Sequence, residues 1–440
     1  MTASVQQTAA RRATLLIAAA AAVMLITTGA RQVSGLFVLP IMSTTGVSIA
    51  SISLALAIGQ FIWGALQPVF GALADNYGAF RVIVFGALLL AVGSVLTAFS
   101  HSELALIATM GVLSAAGAAA GSFSILIGGT ARRLTAHQRS TAAGTINAGG
   151  SLGQFVFAPL VQSVIGAWGW AAAMFTLAAT SLLTIPLAWP LRSKAPPPEA
   201  SPATRSADEA STTARASTAP AVAAHIGASA TSSAVPAVTL REQLRIASRD
   251  LNYIFLNLGF FTCGFHVAFL VTHLPGEIKN CGLAPSVAAN SLALIGLFNV
   301  VGSVGAGLLG QRFRMKHLLA FIYGSRAAMI AIYLLMPKTS LNLYLFAAGM
   351  GMTWLATVPP TSGIVGKLYG VRFLGTLFGL TLVSHQTGAF LGAWLGGLAM
   401  ANLGSYQWIW FADMALALCA ALVNLPIKED KPLPRPAIAT

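Results

Sequence analysis

The sequence is dominated by apolar runs that are long enough to cross a lipid bilayer. A membrane-spanning helix needs about 20 mostly apolar residues. Twelve runs of roughly this length, numbered here as spans 1 to 12, cover residues 15–41, 49–73, 82–99, 103–128, 140–165, 170–191, 250–275, 284–310, 317–336, 341–363, 373–399 and 405–427. Only 8% of the residues are charged, against about 25% in a soluble domain. The pattern predicts an all-α, multi-pass membrane protein and excludes an ordinary soluble enzyme.

Basic residues are concentrated at one end of the predicted bundle. If the N terminus is inside the cell, all but four of the 25 Lys and Arg residues fall on the cytoplasmic side. The four exceptions are Lys279 and Lys338 in outside loops and Arg31 and Arg326 within spans. This is the positive-inside pattern, and it predicts that both termini are cytoplasmic. The net charge of +14 is therefore an orientation signal, and no nucleic-acid partner is expected.

The segment between spans 6 and 7 has a different composition. Residues 192 to about 237 are rich in Ala, Ser, Thr and Pro, which cannot bury a core and is typical of a flexible linker. Residues 239–249 then resemble a short amphipathic helix at the membrane surface. The chain is predicted to comprise an N-terminal six-helix bundle (1–191), a cytoplasmic linker with this interfacial helix (192–245) and a C-terminal six-helix bundle (246–440).

The two bundles align as an internal repeat with an offset of 235 residues. In this alignment Arg31 corresponds to His266, Leu39-Pro40 corresponds to Leu274-Pro275, and Gly153 corresponds to Gly388. Repeats with the same membrane orientation imply a pseudo-twofold axis along the membrane normal, with a site between the halves. Arg31 and His266 are accordingly expected to face each other across a central cavity.

The loop between spans 2 and 3 carries a recognisable motif. Gly71, Asp75, Gly78 and Arg81 resemble the signature of the major facilitator superfamily at this place. The resemblance implies a fold of two pseudo-symmetric six-helix bundles, and it assigns these four residues to a conformational latch at the cytoplasmic side. Asn76 and Ala79 stand where the family usually has basic residues, which indicates a weaker latch.

A narrower resemblance is carried by residues 29–37, 151–154, 166–170 and 384–396. These segments are similar to the bacterial relatives of the monocarboxylate transporters and oxalate–formate antiporters. The resemblance implies transport of small organic anions, with a proton or in exchange, in the cell inner membrane. The family often has an acidic residue followed by an arginine in span 8, where this chain has Asn299 and Ser303.

Six residues within the spans are candidates for contact with the substrate. Arg31 is the first, because a mid-span charge costs at least about 3 kcal/mol on insertion scales unless it has a partner or a water-filled cavity. It also holds the position of the cationic first-span residue of the resembled family. His266 is included as its repeat partner and His385 as a mid-span proton site or ligand. The cavity could further be lined by Asn147, Gln154 and Trp354.

Other conspicuous residues are interpreted as structural. Arg326 and Asp413 lie in peripheral spans, and Pro359-Pro360 should kink span 10. The glycines at 388, 392 and 396 share one helix face and predict close packing. The three cysteines, Cys263, Cys281 and Cys419, have no metal-ligand spacing, so neither a metal nor a cofactor is expected.

The deep charged residues favour one class of substrate. Arg31, Arg326 and two histidines stand against Asp413 alone, and a cavity with fixed positive charge attracts anions. The sequence therefore predicts a monomeric secondary transporter of a small organic anion, a monocarboxylate by preference, working by alternating access through proton symport or anion exchange. The alternative is a drug or metabolite exporter of the same fold. A non-transporting receptor and a membrane enzyme are less favoured.

Overall fold

The computed structural model describes residues 2–131, 133–192, 239–370 and 373–429, which form helices and short connections without a strand. Several spans are interrupted. Span 1 consists of Thr2–Gln32, a 3-10 turn at Ser34–Phe37 and Val38–Thr45, and span 4 runs through Glu103–Leu106, a π-helical stretch at Ile107–Ser114, Ala115–Ala120 and Phe123–Ala131. The other helices are Ile49–Tyr77, Ala79–Ala98, Ala136–Leu182, Thr184–Leu187, Leu240–Arg249, Leu251–Asn280, Pro285–Arg312, Met315–Leu335, Ser340–Thr353, Val358–Tyr369, Leu374–Leu403 and Gln407–Asn424, with a further 3-10 turn at Trp189–Arg192.

Ten candidate membrane spans in the described residues are long and apolar enough to cross a bilayer. One of them, Thr141–Leu187, overlaps most of the 47-residue helix Ala136–Leu182. At 1.5 Å per residue this helix would be about 70 Å long, against a hydrocarbon core of about 30 Å. It is broken at Gly169, whose φ of 84° is not helical, and so supplies spans 5 and 6. Span 11, Leu374–Leu403, has 30 residues, but His385, Gln386 and its glycines lower its mean hydropathy. The described residues thus contain ten candidate spans, and the twelve predicted spans correspond to them when Ala136–Leu182 is divided at Gly169 and Leu374–Leu403 is added.

The two bundles are built from equivalent helix pairs. Span 1 packs along span 5 in the first bundle, and span 7 packs along span 11 in the second. The backbones approach closely because glycines lie at the contacts. A Cβ atom at Gly153 would lie 3.0 Å from the Cα of Gly29, and one at Gly388 would lie 3.1 Å from the amide nitrogen of Phe265. The predicted packing role of the span 11 glycines is confirmed at this contact.

The halves meet along spans 2 and 11 and along spans 5 and 8. On the first interface, a Cβ at Gly397 would meet Ser53 and one at Gly64 would meet Gln386. Seven residues further along the same helix faces, Gly71 and Gly379 would have nothing within 4 Å. The halves are therefore in contact from the predicted extracellular end to the middle, and they separate towards the predicted cytoplasmic end.

The helix Leu240–Arg249 precedes span 7, close to the predicted position. Its N-cap is Thr239, whose side chain accepts a hydrogen bond from the amide of Glu242. Ala247 is buried in a cluster with Tyr253 and Ile427 at the end of the second bundle. Residues 193–238, where the flexible linker is predicted, lie outside the described residues.

Span 10 is interrupted at the predicted kink. Its first helix ends at Thr353 and its second begins at Val358, directly before Pro359-Pro360. Proline has no amide hydrogen to donate, and its ring disfavours a continuous helix. The kink was correctly predicted, and it leaves backbone carbonyl groups of the preceding turn available to other partners.

Candidate functional site

Arg31 lies at the end of the first helix of span 1, just before the 3-10 turn. Its Nη1 donates a hydrogen bond to Oε1 of Gln60, and its guanidinium carbon lies 4.1 Å from the ring centroid of Trp63. Its Nε is buried and has no hydrogen-bond partner among the described residues. The charge is thus held by neutral groups of span 2 while one donor stays unused.

Arg31 lines a cavity of about 70 Å³ inside the first bundle. The walls come from spans 1, 2, 3, 4 and 6, and their polar side chains include those of Ser34, Gln60, Ser94, Thr97 and Ser114. Arg31 is the one charged residue among those that line the cavity. The fixed positive charge that the sequence predicts is therefore present, and it stands within the first bundle rather than between the two.

His266 is placed inside the second bundle. It is 1% exposed, and its Nδ1 lies 2.6 Å from Oδ2 of the fully buried Asp413 of span 12. Its ring centroid is 6.1 Å from that of Trp354. Neither Nε2 of His266 nor Oδ1 of Asp413 has a hydrogen-bond partner among the described residues.

The expectation that Arg31 and His266 face each other across a central cavity is not met in this conformation. Each side chain turns into its own bundle, where it finds a polar partner: Gln60 for Arg31 and Asp413 for His266. Burying a polar group without a partner is costly, so these local partners determine the side-chain directions. The repeat alignment identifies equivalent positions on the helices, but it carries no information about those partners.

Arg326 has the structural role predicted for it. It is fully buried, and its Nη2 donates to the carbonyl oxygens of Thr353 and, at 2.7 Å, of Trp354. These carbonyl groups belong to the turn at which span 10 is interrupted. Trp354 itself is only 1% exposed, so its side chain packs in the second bundle and does not line an open cavity here.

His385 lies near the middle of span 11 and is 9% exposed. Its ring centroid is 4.9 Å from that of Phe260, and its Nδ1 has no hydrogen-bond partner among the described residues. The neighbouring Gln386 lies against Gly64 of the other half, and its Oε1 is also unpartnered among the described residues. Span 11 thus brings two incompletely bonded polar side chains to the region where the halves meet.

Spans 5 and 8 form a second polar contact between the halves, and Asn299 is its centre. The Nδ2 of Asn299 donates to Oγ of Ser151 at 2.8 Å. Its Oδ1 accepts from Oγ of Ser303 and from the amide of Leu355 in the span 10 break, both at 3.0 Å. The sequence drew attention to Asn299 only as a departure from the resembled family, and its linking role was missed.

Two span 5 candidates lie near this contact. Gln154 is fully buried, and neither atom of its amide has a hydrogen-bond partner among the described residues. A Cβ atom added at Gly296 of span 8 would lie 2.9 Å from the Cβ of Gln154, so the two helices are in close contact here. Asn147, two turns away towards the predicted cytoplasmic end, is partly buried.

The motif between spans 2 and 3 forms a tight turn. Gly78 joins the two helices with φ 91° and ψ 140°, a conformation that residues with a Cβ rarely adopt. Gly71 precedes the turn on span 2, and both Asp75 and Arg81 are exposed. The geometry supplies the turn that the motif needs, and the latch role of these four residues stays a prediction.

A charged cluster at the predicted cytoplasmic end of the second bundle was not foreseen. Glu429, which is 6% exposed, accepts a hydrogen bond from the amide of Lys316 at 2.5 Å and one from Nζ of Lys367 at 3.0 Å. Burial raises the pKa of Glu429, but the bonds from Lys316 and Lys367 outweigh it and leave the pKa below 4.5. The cluster ties the segment after span 12 to spans 9 and 10.

Comparisons with known proteins agree with this architecture. The family description "Major Facilitator Superfamily" matches residues 16–393. The chain is 25% identical to monocarboxylate transporter 13 of Rattus norvegicus, over 90% of this chain and 85% of that one. It is 23% identical to the oxalate:formate antiporter of Oxalobacter formigenes, over 86% and 82%.

Among solved structures, a D-xylose–proton symporter is similar with a TM-score of 0.69 and 14% identity, covering 96% of this chain and 98% of that one. This likeness concerns the fold. Among the described residues, no group of three His, Cys, Asp or Glu side chains could hold a metal ion. The helices, their packing and the family match lead to one conclusion: the chain belongs to the major facilitator superfamily, as a multi-pass membrane transport protein rather than an enzyme.

Proposed function

We propose that this protein is a secondary transporter of a small organic anion, with monocarboxylates as the preferred class. The observation that carries the proposal is the environment of the Arg31 guanidinium group. Its guanidinium group lines a cavity, its neutral contacts are Gln60 and Trp63, and it has no ion pair with a carboxylate of the described residues. A positive charge held in this way attracts an anion.

The shape of the guanidinium group supports a carboxylate in particular. Arginine binds carboxylates through two parallel N–H donors. Gln60 engages Nη1, while the edge that carries Nε has an unused donor. A carboxylate at this edge would satisfy the buried Nε–H and neutralise the charge.

The relatives point to the same chemistry. Their names specify monocarboxylates and the oxalate–formate pair, and all of these substrates carry carboxylate groups. With identities of 25% and 23%, the relatives support the substrate class without specifying one compound. Coupling to protons or to a counter-anion is equally compatible with their names.

Alternating access gives the mechanism. The halves are in contact at the predicted extracellular end and separate towards the predicted cytoplasmic end, as expected of one end state of a rocking cycle. His385, Gln386 and Gln154 lie at or near the interface of the halves with unsatisfied polar atoms, so they are available to the anion during this movement. Asn147 and Trp354 complete the proposed set of contacts, whereas His266, which the sequence placed with them, is bonded to Asp413 and is not assigned an anion contact.

For the membrane location and the oligomeric state, we propose what the sequence predicts. The protein is proposed to lie in the cell inner membrane as a monomer, with both termini cytoplasmic. Gly71, Asp75, Gly78 and Arg81 then belong to the cytoplasmic side, where their latch would act on the opening between the halves.

The proposal is tested by the thermal stability of the purified protein in the presence of carboxylates and organic cations. A ligand at 100 times its Kd stabilises the folded state by about 2.7 kcal/mol. We expect a carboxylate to raise the Tm of the wild type but not that of Arg31→Ala. Stabilisation by organic cations alone would contradict the proposal and favour the drug-exporter alternative.

A further inference from the structure

The pair of His266 and Asp413 has features that a purely structural contact does not need. Nδ1 and Oδ2 are 2.6 Å apart, and the side chains are 1% and 0% exposed. Charged side chains at this depth are rare in membrane proteins and often mark proton relays or substrate pathways. Asp413 lies in span 12, which sequence reasoning regarded as peripheral, and the proposed anion site does not account for its contact with His266.

The hydrogen bonding of the pair is incomplete. Nε2 of His266 and Oδ1 of Asp413 have no hydrogen-bond partner among the described residues. Arg326, another buried charge in the same bundle, has its Nη2 engaged by two carbonyl oxygens, and its Nη1 likewise has no partner among the described residues. A free imidazole nitrogen beside a carboxylate is a place where one proton can be added.

The surroundings connect the pair to the interruption of span 10. The His266 ring lies 6.1 Å from Trp354, the residue that follows the first helix of span 10. Spans 7 and 12 pack against each other and against spans 9 and 11. The other titratable side chains on these four helices, in the described residues, are Tyr253, Cys263, His273, Glu277 and Lys279 on span 7, Lys316, His317, Tyr323, Arg326 and Tyr333 on span 9, His385 on span 11 and Cys419 on span 12.

Asp413 has His266 as its ion-pair partner among the described residues. The acidic group elsewhere on these helices, Glu277, is hydrogen-bonded to Tyr333 near the predicted extracellular end. Among the acidic groups of these helices in the described residues, Asp413 is therefore the carboxylate available to a proton in the middle of the second bundle.

We propose that the His266–Asp413 pair is the proton-binding site that couples anion transport to the proton gradient. The inference rests on the proposed organic-anion function and deepens it, since it decides between symport and exchange. Neutral His266 donates its Nδ1 proton to ionised Asp413. A proton from water on one side of the membrane binds Nε2, giving an imidazolium–carboxylate pair, and the same proton leaves from Nε2 to the other side.

Uptake of the proton by the pair balances the charge of a monocarboxylate. The pair changes from a net charge of −1 to 0 when it takes up the proton. One proton moves with one monocarboxylate, so transport of a monocarboxylate is electroneutral. Both side chains are buried in the present conformation, which means that the proton enters or leaves in another state of the cycle.

The experiment uses the full chain in proteoliposomes with radiolabelled lactate, pyruvate and oxalate. Counterflow at equal pH reports binding and alternating access, whereas accumulation driven by an acidic outside reports proton coupling. We expect Asp413→Asn and His266→Gln to keep counterflow within about threefold and to lose acid-driven accumulation by at least tenfold. His273→Gln is the matched control, because His273 is equally buried on the same helix and, among the described residues, has its one hydrogen bond with the carbonyl of Ala393.

The outcomes separate the inference from the function on which it rests. A wild type that exchanges none of the three anions contradicts the organic-anion proposal itself. Exchange without acid-driven accumulation in the wild type, or full accumulation in both variants, overturns the proton site alone.

A second measurement covers variants that fail to fold. In weakly buffered detergent solution, the wild type should take up about one proton for each anion that it binds, read with a pH-sensitive dye. The absence of uptake on binding would overturn the inference without any variant. An exchanged pair, His266→Asp with Asp413→His, should restore the acid-driven accumulation that either single change removes.

Discussion

Two buried arginines of this protein are held by different kinds of partner. Arg326 donates to backbone carbonyl oxygens that the interruption of span 10 has freed, so its charge stabilises the second bundle. Arg31 is held by one amide oxygen and an aromatic ring, and it lines a cavity. Each guanidinium has one donor without a partner among the described residues, Nη1 in Arg326 and Nε in Arg31, so the cavity is what distinguishes the two. The first arrangement is typical of a structural residue, and the second of a residue that binds a ligand.

Replacing Arg326 should therefore affect stability rather than binding. Arg326→Met removes the donors to Thr353 and Trp354, and an unsatisfied buried acceptor costs about 1–3 kcal/mol. We expect a lower Tm, with the added stabilisation by the anion unchanged in the protein that remains folded. Melting curves with and without the anion measure both quantities. A normal Tm with lost stabilisation would assign Arg326 to the binding site instead.

The Glu429 cluster predicts a pH dependence of stability. Because the folded-state pKa of Glu429 lies below 4.5, its ionised form contributes stability that is fully present above about pH 4.5. That contribution is lost as the pH falls through the lowered folded-state value. Glu429→Gln should lower the Tm at pH 7 but have little effect at the acid end of a series from pH 7 to pH 3. An equal difference at every pH would show that the charge of Glu429 contributes nothing.

At the scale of the helices, the interruption of span 10 offers backbone groups to side chains of neighbouring spans. Asn299 of span 8 accepts from the Leu355 amide within the break and also donates to Ser151 of the first bundle. One side chain thereby joins the contact between the halves to the interrupted helix. Such a link favours the conformation in which all its hydrogen bonds are made.

Loss of Asn299 should shift the protein away from this conformation. Asn299→Leu removes the contact to Ser151, and the opening at the predicted cytoplasmic end should then be populated less often. Ser303→Ala is the control, because it removes only a bond within span 8. The opening is measured by thiol labelling of Gly144→Cys in a protein whose Cys281 and Cys419 have been replaced by serine. Gly144 is suitable because an added Cβ would have nothing within 4 Å. Equal labelling of both variants would contradict the linking role.

The limits of sequence-based prediction are also clearest in the helices. Apolar length, the Pro359-Pro360 pair and the glycine spacing identified the spans, the kink and the packed faces. The faces of span 3 show what could not be predicted: Phe85 and Leu88 are exposed on the molecule while Ile83 and Leu90 are buried. Lipid is as apolar as the bundle interior, so hydrophobic periodicity does not indicate which way a helix faces. The bond of His266 to Asp413 and the packing of Gln154 against span 8 were hidden for this reason.

At the scale of the whole molecule, the closure at the predicted extracellular end depends on an approach of spans 1 and 7. A Cβ atom at Gly35 would lie 2.8 Å from the carbonyl oxygen of Thr272 and closer still to that of Val271. No side chain can be accommodated there while the halves are in contact at this end. The closure therefore requires glycine at this position.

Gly35→Val should consequently disfavour closure at the predicted extracellular end. We expect slower counterflow, and less thiol labelling at Gly144→Cys in the cysteine-replaced protein, because the halves can no longer close on the extracellular side. Gly375→Val, at a position where an added Cβ has nothing within 4 Å, is the control and should leave both quantities unchanged. Normal counterflow in Gly35→Val would show that spans 1 and 7 do not form a gate.

The repeat explains why a positive cavity and a proton site can coexist in one protein. Equivalent positions in the two halves carry Arg31 with a neutral partner and His266 with an acidic one. One bundle thus presents a fixed positive charge and the other a protonatable pair. This division of roles between the halves is the central feature of the proposed mechanism.

The most direct test of the account is counterflow of a radiolabelled monocarboxylate through proteoliposomes that contain the wild type or Arg31→Gln. Lys279→Gln, which removes an exposed positive charge at the predicted extracellular end, controls for net charge. The account predicts that Arg31→Gln folds normally and loses at least tenfold in apparent affinity, about 1.4 kcal/mol, while Lys279→Gln matches the wild type. Counterflow by Arg31→Gln with wild-type affinity would contradict an anion site at Arg31.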